Sequence, residues 1–130
     1  MNRVFQYAAI GIIGLFVVWK GVIPAFTDID TDFPNYYTSS RLLLEGKEIS
    51  RLYDDNWFQG QITSYGIERQ GKFSPFPPVT AFLMIPVAML PPEQALRTWA
   101  VINIVVFAAT VIMVSKITGK DWQWSSLLLL

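Results

Sequence analysis

The run Asp32-Phe33-Pro34-Asn35-Tyr36-Tyr37 follows closely on a long apolar stretch. It puts a carboxylate where a membrane-spanning segment ends and an aromatic-rich helix begins. A carboxylate at the water face of a bilayer, beside side chains apolar enough to hold lipid, can act as general base toward a lipid-linked substrate. Apolar aromatic neighbours favour a raised pKa, which suits proton abstraction. Asp before Phe-Pro is also a common helix start, so the same residue reads as a helix cap. Asp28, Asp30 and Asp32 alternate along the linker and offer a third reading, a divalent-metal site. The run holds no glycine, and a solvated acidic linker is the commoner use of such a pattern, so no metal and no cofactor is assigned. Tyr36 and Tyr37 are candidates for stacking on a bound substrate, with interface anchoring or packing as the plainer role. Arg41, about two and a half turns from Asp32, is a candidate cation for an anionic substrate group, as are Arg69 and Lys72.

The elements that must position these residues follow from composition. Half of the residues are hydrophobic, and they are clumped into long blocks, which marks a membrane protein. Net charge is zero, so nothing suggests nucleic acid as a partner. Cysteine and histidine are absent, which excludes disulfides, thiolate chemistry, zinc sites and histidine catalysis within these residues. The first block, residues 4–26, is long enough to cross a hydrocarbon core of roughly 30 Å. A basic start fits a signal peptide, but no small-residue cleavage site follows Trp19, so the block reads as a retained transmembrane helix with Lys20 snorkelling toward the headgroups. A second span covers 95–117, with Asn103 inside it as a helix–helix bonding residue. A third opens at 122–130, too short to cross, so the chain reads as the N-terminal piece of a longer polytopic protein.

Between the spans lies a segment of residues 27–94, too long for a plain connector. A helix is expected over 33–45, with Pro34 in its first turn and Gly46 past its end. Phe33, Tyr36, Tyr37, Ser40, Leu43 and Leu44 fall on one side of it, a face that must lie on the membrane or on other helices. A second helix is expected over 55–69, with Gly60 and Gly66 counting against its continuity. Residues 79–90 form an apolar stretch bracketed by Pro77-Pro78 and Pro91-Pro92, read as a membrane-surface or re-entrant helix. The fold class is therefore an all-α membrane protein: a transmembrane helix, a long loop carrying amphipathic or membrane-surface helices, a second transmembrane helix and the start of a third.

The order of motifs resembles that of a known family. After the first span come Asp32-Phe33-x-x-Tyr36-Tyr37, Leu43-Leu44-Glu45-Gly46 and Leu52-Tyr53-Asp54. Phe76-Pro77-Pro78, a short apolar segment with Pro86, Leu90-Pro91 and a span containing Trp99 complete it. This looks like the start of glycosyltransferase family 87, integral-membrane enzymes of the C-type glycosyltransferase fold. The resemblance implies transfer of a sugar, typically mannose, from a polyprenyl-phosphate donor to a glycolipid or glycan acceptor on the outer face of a bacterial or archaeal cell membrane. It implies that Asp32 takes the role of the acidic catalytic residue in the first outer loop. The residues agree with that assignment, because a polyprenyl donor keeps its tail in lipid and its reacting centre at headgroup depth.

A different class remains: a small non-catalytic multi-pass protein whose loop helices dock on a larger complex, with a lipid-carrier flippase or transporter subunit as a weaker third. Several further spans and outer loops beyond Leu130 in the reading frame distinguish the transferase from both.

Arg3, Lys116 and Lys120 flank the two spans, so both ends read as cytoplasmic and residues 27–94 as external. The chain has no native cysteine, which makes the test direct. A single cysteine at position 50 is expected to react with an impermeant thiol reagent on intact cells, and one at position 118 is not. The reverse pattern overturns the topology.

Overall fold

The computed structural model describes residues 3–29, 32–73 and 76–119. Among these the regular backbone is all helical. Two helices, Tyr7–Thr27 and Pro92–Thr118, are long and apolar enough to cross a membrane, and the chain is an all-α membrane protein. Asp30, Lys120 and the expected third span at 122–130 lie outside the described residues. The chain divides into two units, residues 1–24 with 100–130, and residues 25–99.

In the first unit, α1 (Arg3–Val17) runs without a break into a π-helical turn, Val18–Val22, and from there into α2 (Ile23–Thr27). The π turn is defined by the Ile23 N–H, which donates to the Val18 carbonyl five residues back. None of the window that marks this span is buried, and Val4, Ile12, Leu15, Phe16 and Trp19 present large apolar surfaces. The later turns of α6 (Pro92–Thr118) are likewise apolar and exposed, through Val105, Ile112, Met113 and Ile117. Thr110 and Thr118 turn their hydroxyls back onto the carbonyls of Val106 and Val114, which hides the polar group within the helix.

The second unit carries the compact core. Helix α3 (Phe33–Leu44) ends where Gly46 adopts φ +65°. There the Lys47 N–H bonds the Leu42 carbonyl and the Gly46 N–H bonds that of Leu43, the paired closure that a left-handed glycine permits. Helix α4 (Asp55–Ser64) starts under Asp54, whose carboxylate accepts from the Trp57 N–H, and closes in the same way over Gly66 at φ +80°. The helix expected to reach residue 69 therefore stops at Ser64, because Gly66 turns the chain so that Ile67 can bury.

The stretch expected as one helix over 79–90 is instead broken. A 3-10 segment, Pro78–Phe82, leads through a turn into α5 (Ile85–Ala88). Pro86 is the cause: it has no N–H to give to residue 82, and its ring would clash with that carbonyl. Ala81, Met84, Val87 and Ala88 are buried while Val79, Phe82, Leu83 and Met89 are exposed, so one face of this segment enters the core and the other stays apolar and outward.

Helix α3 lies against this broken segment, and its side chains bond the backbone groups that the break leaves over. The Tyr37 hydroxyl donates to the Leu90 carbonyl at 2.8 Å, Arg41 donates to that of Ala88 at 2.8 Å, and the Ser40 Oγ accepts from the Met84 N–H at 3.3 Å. Of the expected apolar face of α3, Phe33, Tyr37 and Ser40 are buried inside the unit, while Leu44 is exposed and Leu42, outside that face, is buried. The opposite side of α3 is buried too, through Asn35, Thr38 and Ser39, whose small polar side chains let neighbouring backbone come close.

Glu45 gathers the far end of α3. Its carboxylate takes Arg41 at 2.7 Å, the Tyr65 hydroxyl at 2.8 Å and Lys47 at 3.1 Å. The bond from Arg41, then that from Tyr65, hold its pKa down at about 2, while burial and the Glu45 charge push the Tyr65 phenol up. Since the folded value lies below the ordinary 4.5, this network's contribution is fully present above about pH 4.5 and is lost as pH falls toward 2. Glu45→Gln is therefore expected to lower the urea midpoint at pH 7, with the gap to the wild type closing between pH 5 and pH 2. A gap that stays constant over that range assigns the loss to packing and removes the ionic clamp.

Candidate active site

Asp32 occupies the N-terminal flank of α3 and is exposed. Its side chain makes no capping bond. The reasons are local. The backbone is already helical there, at φ −70° and ψ −3°, rather than extended as a capping residue is. The second helical position is Pro34, which has no N–H to offer. The next amide, Asn35 N–H, is taken by the Asp32 carbonyl at 3.0 Å, and that carbonyl also accepts from Tyr36 at 3.1 Å. The helix-cap reading of Asp32 is thus not realised by its carboxylate, which is left free of the backbone.

One turn on, Tyr36 is half-buried with its ring 4.9 Å from that of Phe76 and tilted by 55°. Burial, and after it the negative charge of Asp32, push the Tyr36 phenol up, which sets the two side chains at the same end of the helix. Phe76 is itself held: its N–H bonds the Phe73 carbonyl, and its own carbonyl accepts from the Tyr53 hydroxyl at 2.8 Å. Leu52 of the same motif is buried in the core. The Leu52-Tyr53-Asp54 run thus fixes the aromatic pair beside Asp32 and caps α4.

Asn35 completes this end of α3. It is buried, and a Cβ at Gly71 would collide with its Oδ1 and with Ile62 Cδ1, so only glycine fits there. Gln59 holds the loop in place, donating to the Arg69 carbonyl at 3.2 Å and accepting from the Gly71 N–H at 2.9 Å. Among the described residues, Asn35 Oδ1 and Thr38 Oγ1 are buried with no hydrogen-bond partner. Lys72 follows Gly71 and is exposed.

The sequence-predicted site residues divide accordingly. Asp32 and Tyr36 come together. Tyr37 is buried, stacked on Phe33 at 5.5 Å and bonded to Leu90, so burial pushes its phenol up and its role is packing. Arg41 is engaged by Glu45 and the Ala88 carbonyl. Asp28 accepts a hydrogen bond from Thr27, and no group of three His, Cys, Asp or Glu is placed to hold a metal among the described residues, which do not include Asp30. Sequence reading missed Asn35, Gly71 and Phe76. The signal for Asn35 was its spacing, three residues after Asp32 on the same helical face. Gly71 and Phe76 depend on contacts between elements.

Comparison with known proteins gives one match: residues 75–130 fit the family model of glycosyltransferase family 87. This stretch takes in the proline-broken segment and α6, the second of the two helices long and apolar enough to cross a membrane. No curated protein and no solved structure matches the chain.

The contrast between two aspartates is testable. Asp54→Ala removes a bonded cap and is expected to lower the melting temperature by a few degrees, with Asp54→Asn largely restoring it. Asp32→Ala removes no cap and is expected to leave the melting temperature near that of the wild type. An equal loss in both alanine variants returns Asp32 to a structural role.

Proposed function

We propose that the chain carries the donor-side part of a lipid-dependent glycosyltransferase, with Asp32 as general base. The supporting observation is a carboxylate that the helix start leaves uncapped, exposed five residues past a membrane-spanning helix and beside the Tyr36–Phe76 ring pair. The family match over residues 75–130 supports the reaction class and does not include Asp32.

In this reading the donor is a polyprenyl-phosphate sugar, with mannose the first choice, and the acceptor is a glycolipid or glycan on the outer face. The acceptor hydroxyl attacks the anomeric carbon and forms the new C–O bond. The bond from that carbon to the phosphate oxygen breaks, and polyprenyl phosphate leaves with the electron pair. The hydroxyl proton passes to the Asp32 carboxylate. Tyr36 and Phe76 offer aromatic surface to the sugar or to the first isoprene unit. Lys72 is the candidate cation for the phosphate, because Arg41 is already engaged. The outward apolar side chains Val79, Phe82, Leu83 and Met89, just ahead of α6, suit a surface lying at headgroup depth.

Asp32→Asn keeps the size of the side chain but cannot accept a proton at neutral pH. It is expected to lower transfer of labelled sugar from polyprenyl phosphate by roughly 100-fold or more, with expression and membrane insertion unchanged. Asp28→Asn is expected to be mild, and activity to survive chelation of divalent cations. Near-normal turnover by Asp32→Asn removes it as the base. An equal loss in Asp28→Asn and Asp32→Asn that added metal rescues supports the metal-site alternative instead.

A further inference from the structure

Lys20 is a charged side chain inside the first span, seven positions before its last residue, Thr27. At 1.5 Å per residue its Cα lies about 10 Å short of that end of the helix. A lone ammonium in hydrocarbon is costly, and such residues are kept where they meet a partner. The lysine stem reaches roughly 6 Å, so an ammonium running toward Thr27 comes within a few ångströms of the headgroup layer. No carboxylate lies within the span, and among the described residues Lys20 forms no ion pair. Asp28, the first described carboxylate beyond it, is bonded by Thr27. Among the described residues the ammonium meets the face of Trp19, at 4.3 Å from the ring centroid.

The backbone here is unusual as well. Trp19, Lys20 and Gly21 fall within the π turn Val18–Val22, while the rest of the span is α-helical. Pro24, four residues after Lys20, has no N–H to give to the Lys20 carbonyl, and the wide turn is how the helix passes that proline. The turn presents an indole that covers the ammonium on one side and leaves its other donors open. On the next residue, Gly21, an added side chain would meet nothing within 4 Å, so the surface beside Lys20 is open.

We propose that Trp19, Lys20 and Gly21 form a binding site for a lipid-borne phosphate at the headgroup layer on the Thr27 side of the membrane. The ammonium takes the phosphate as a point charge, the indole flanks it, and the bare surface at Gly21 accommodates the start of the lipid chain. Two lipids carry that chemistry there, a phospholipid and a polyprenyl phosphate. The site does not depend on the transferase reading, since a phospholipid occupies it whether or not sugar is transferred.

The test is lipid retention by the whole protein in native mass spectrometry, from detergent micelles supplied with polyprenyl monophosphate, phosphatidylglycerol or a phosphate-free galactosyl diacylglycerol. Lys20→Gln is expected to lose about tenfold in retention of a phosphate lipid and nothing for the galactolipid, and Lys20→Arg to retain most of it. Loss confined to polyprenyl phosphate identifies a donor site, and loss of both phosphate lipids identifies a phospholipid anchor. Wild-type retention of both by Lys20→Gln, or a fall that the galactolipid shares, overturns the proposal. If Lys20→Gln cannot be purified, Gly21→Leu, which keeps the charge and fills the open surface, carries the test, and its full retention of both phosphate lipids overturns it.

Discussion

The unit of residues 25–99 depends on one constraint: the backbone polar groups freed by proline between residues 77 and 92 must find partners. Pro77, Pro78, Pro86, Pro91 and Pro92 prevent this stretch from closing its own hydrogen bonds as a continuous helix. A buried backbone group without a partner costs about as much as a lost hydrogen bond, so partners must come from elsewhere. Three come from one helix. Tyr37, Ser40 and Arg41 meet Leu90, Met84 and Ala88, and α3 is thereby fixed against the segment that precedes α6.

That arrangement decides which residues remain available for chemistry. Tyr37 and Arg41 have chemically attractive side chains, yet both are consumed by the broken segment and by the Glu45 network. Lys47 and Tyr65 are drawn into the same network. The far half of α3 is thus a structural anchor. Its near end is different: Asp32 is free of the cap, and Tyr36 faces Phe76. The segment that anchors α3 falls within the residues that match glycosyltransferase family 87, so matched sequence holds the helix that begins at Asp32.

The sequence disclosed what depends on local pattern. Blocks of apolar residues marked spans at 4–26 and 95–117, close to the observed Tyr7–Thr27 and Pro92–Thr118, and Gly46 marked a helix end, whereas Gly66 was weighed only as a weak point in a helix carried on to 69. Asp32 stood out because its type and position were unusual together. What could not be read were the partners across elements. Nothing local distinguishes Arg41 as a phosphate ligand from Arg41 as the donor to a carbonyl 47 residues away. The break at Pro86 was visible in principle, but the apolar run around it looked continuous, and length was weighed above the proline. The buried polar side of α3 was missed for a related reason: nothing local announces burial of Asn35, Thr38 and Ser39, and Gly71 meets Asn35 only through the tertiary fold.

Along α3 the satisfaction of polar groups is uneven. Ser40, Arg41 and Tyr37 each bond a backbone group of the broken segment. In the half nearer Asp32, the Oδ1 of Asn35 and the Oγ1 of Thr38 are buried without a partner among the described residues. Buried acceptors of this kind are uncommon in folded proteins, and they gather where stability is given up for another purpose. Gly71, held by Gln59, keeps the loop pressed against Asn35, so the side chain cannot relax by moving outward. Under the proposed reading, a free carboxylate at the start of a helix anchored by its far half suits a base that must meet a substrate hydroxyl at a fixed depth.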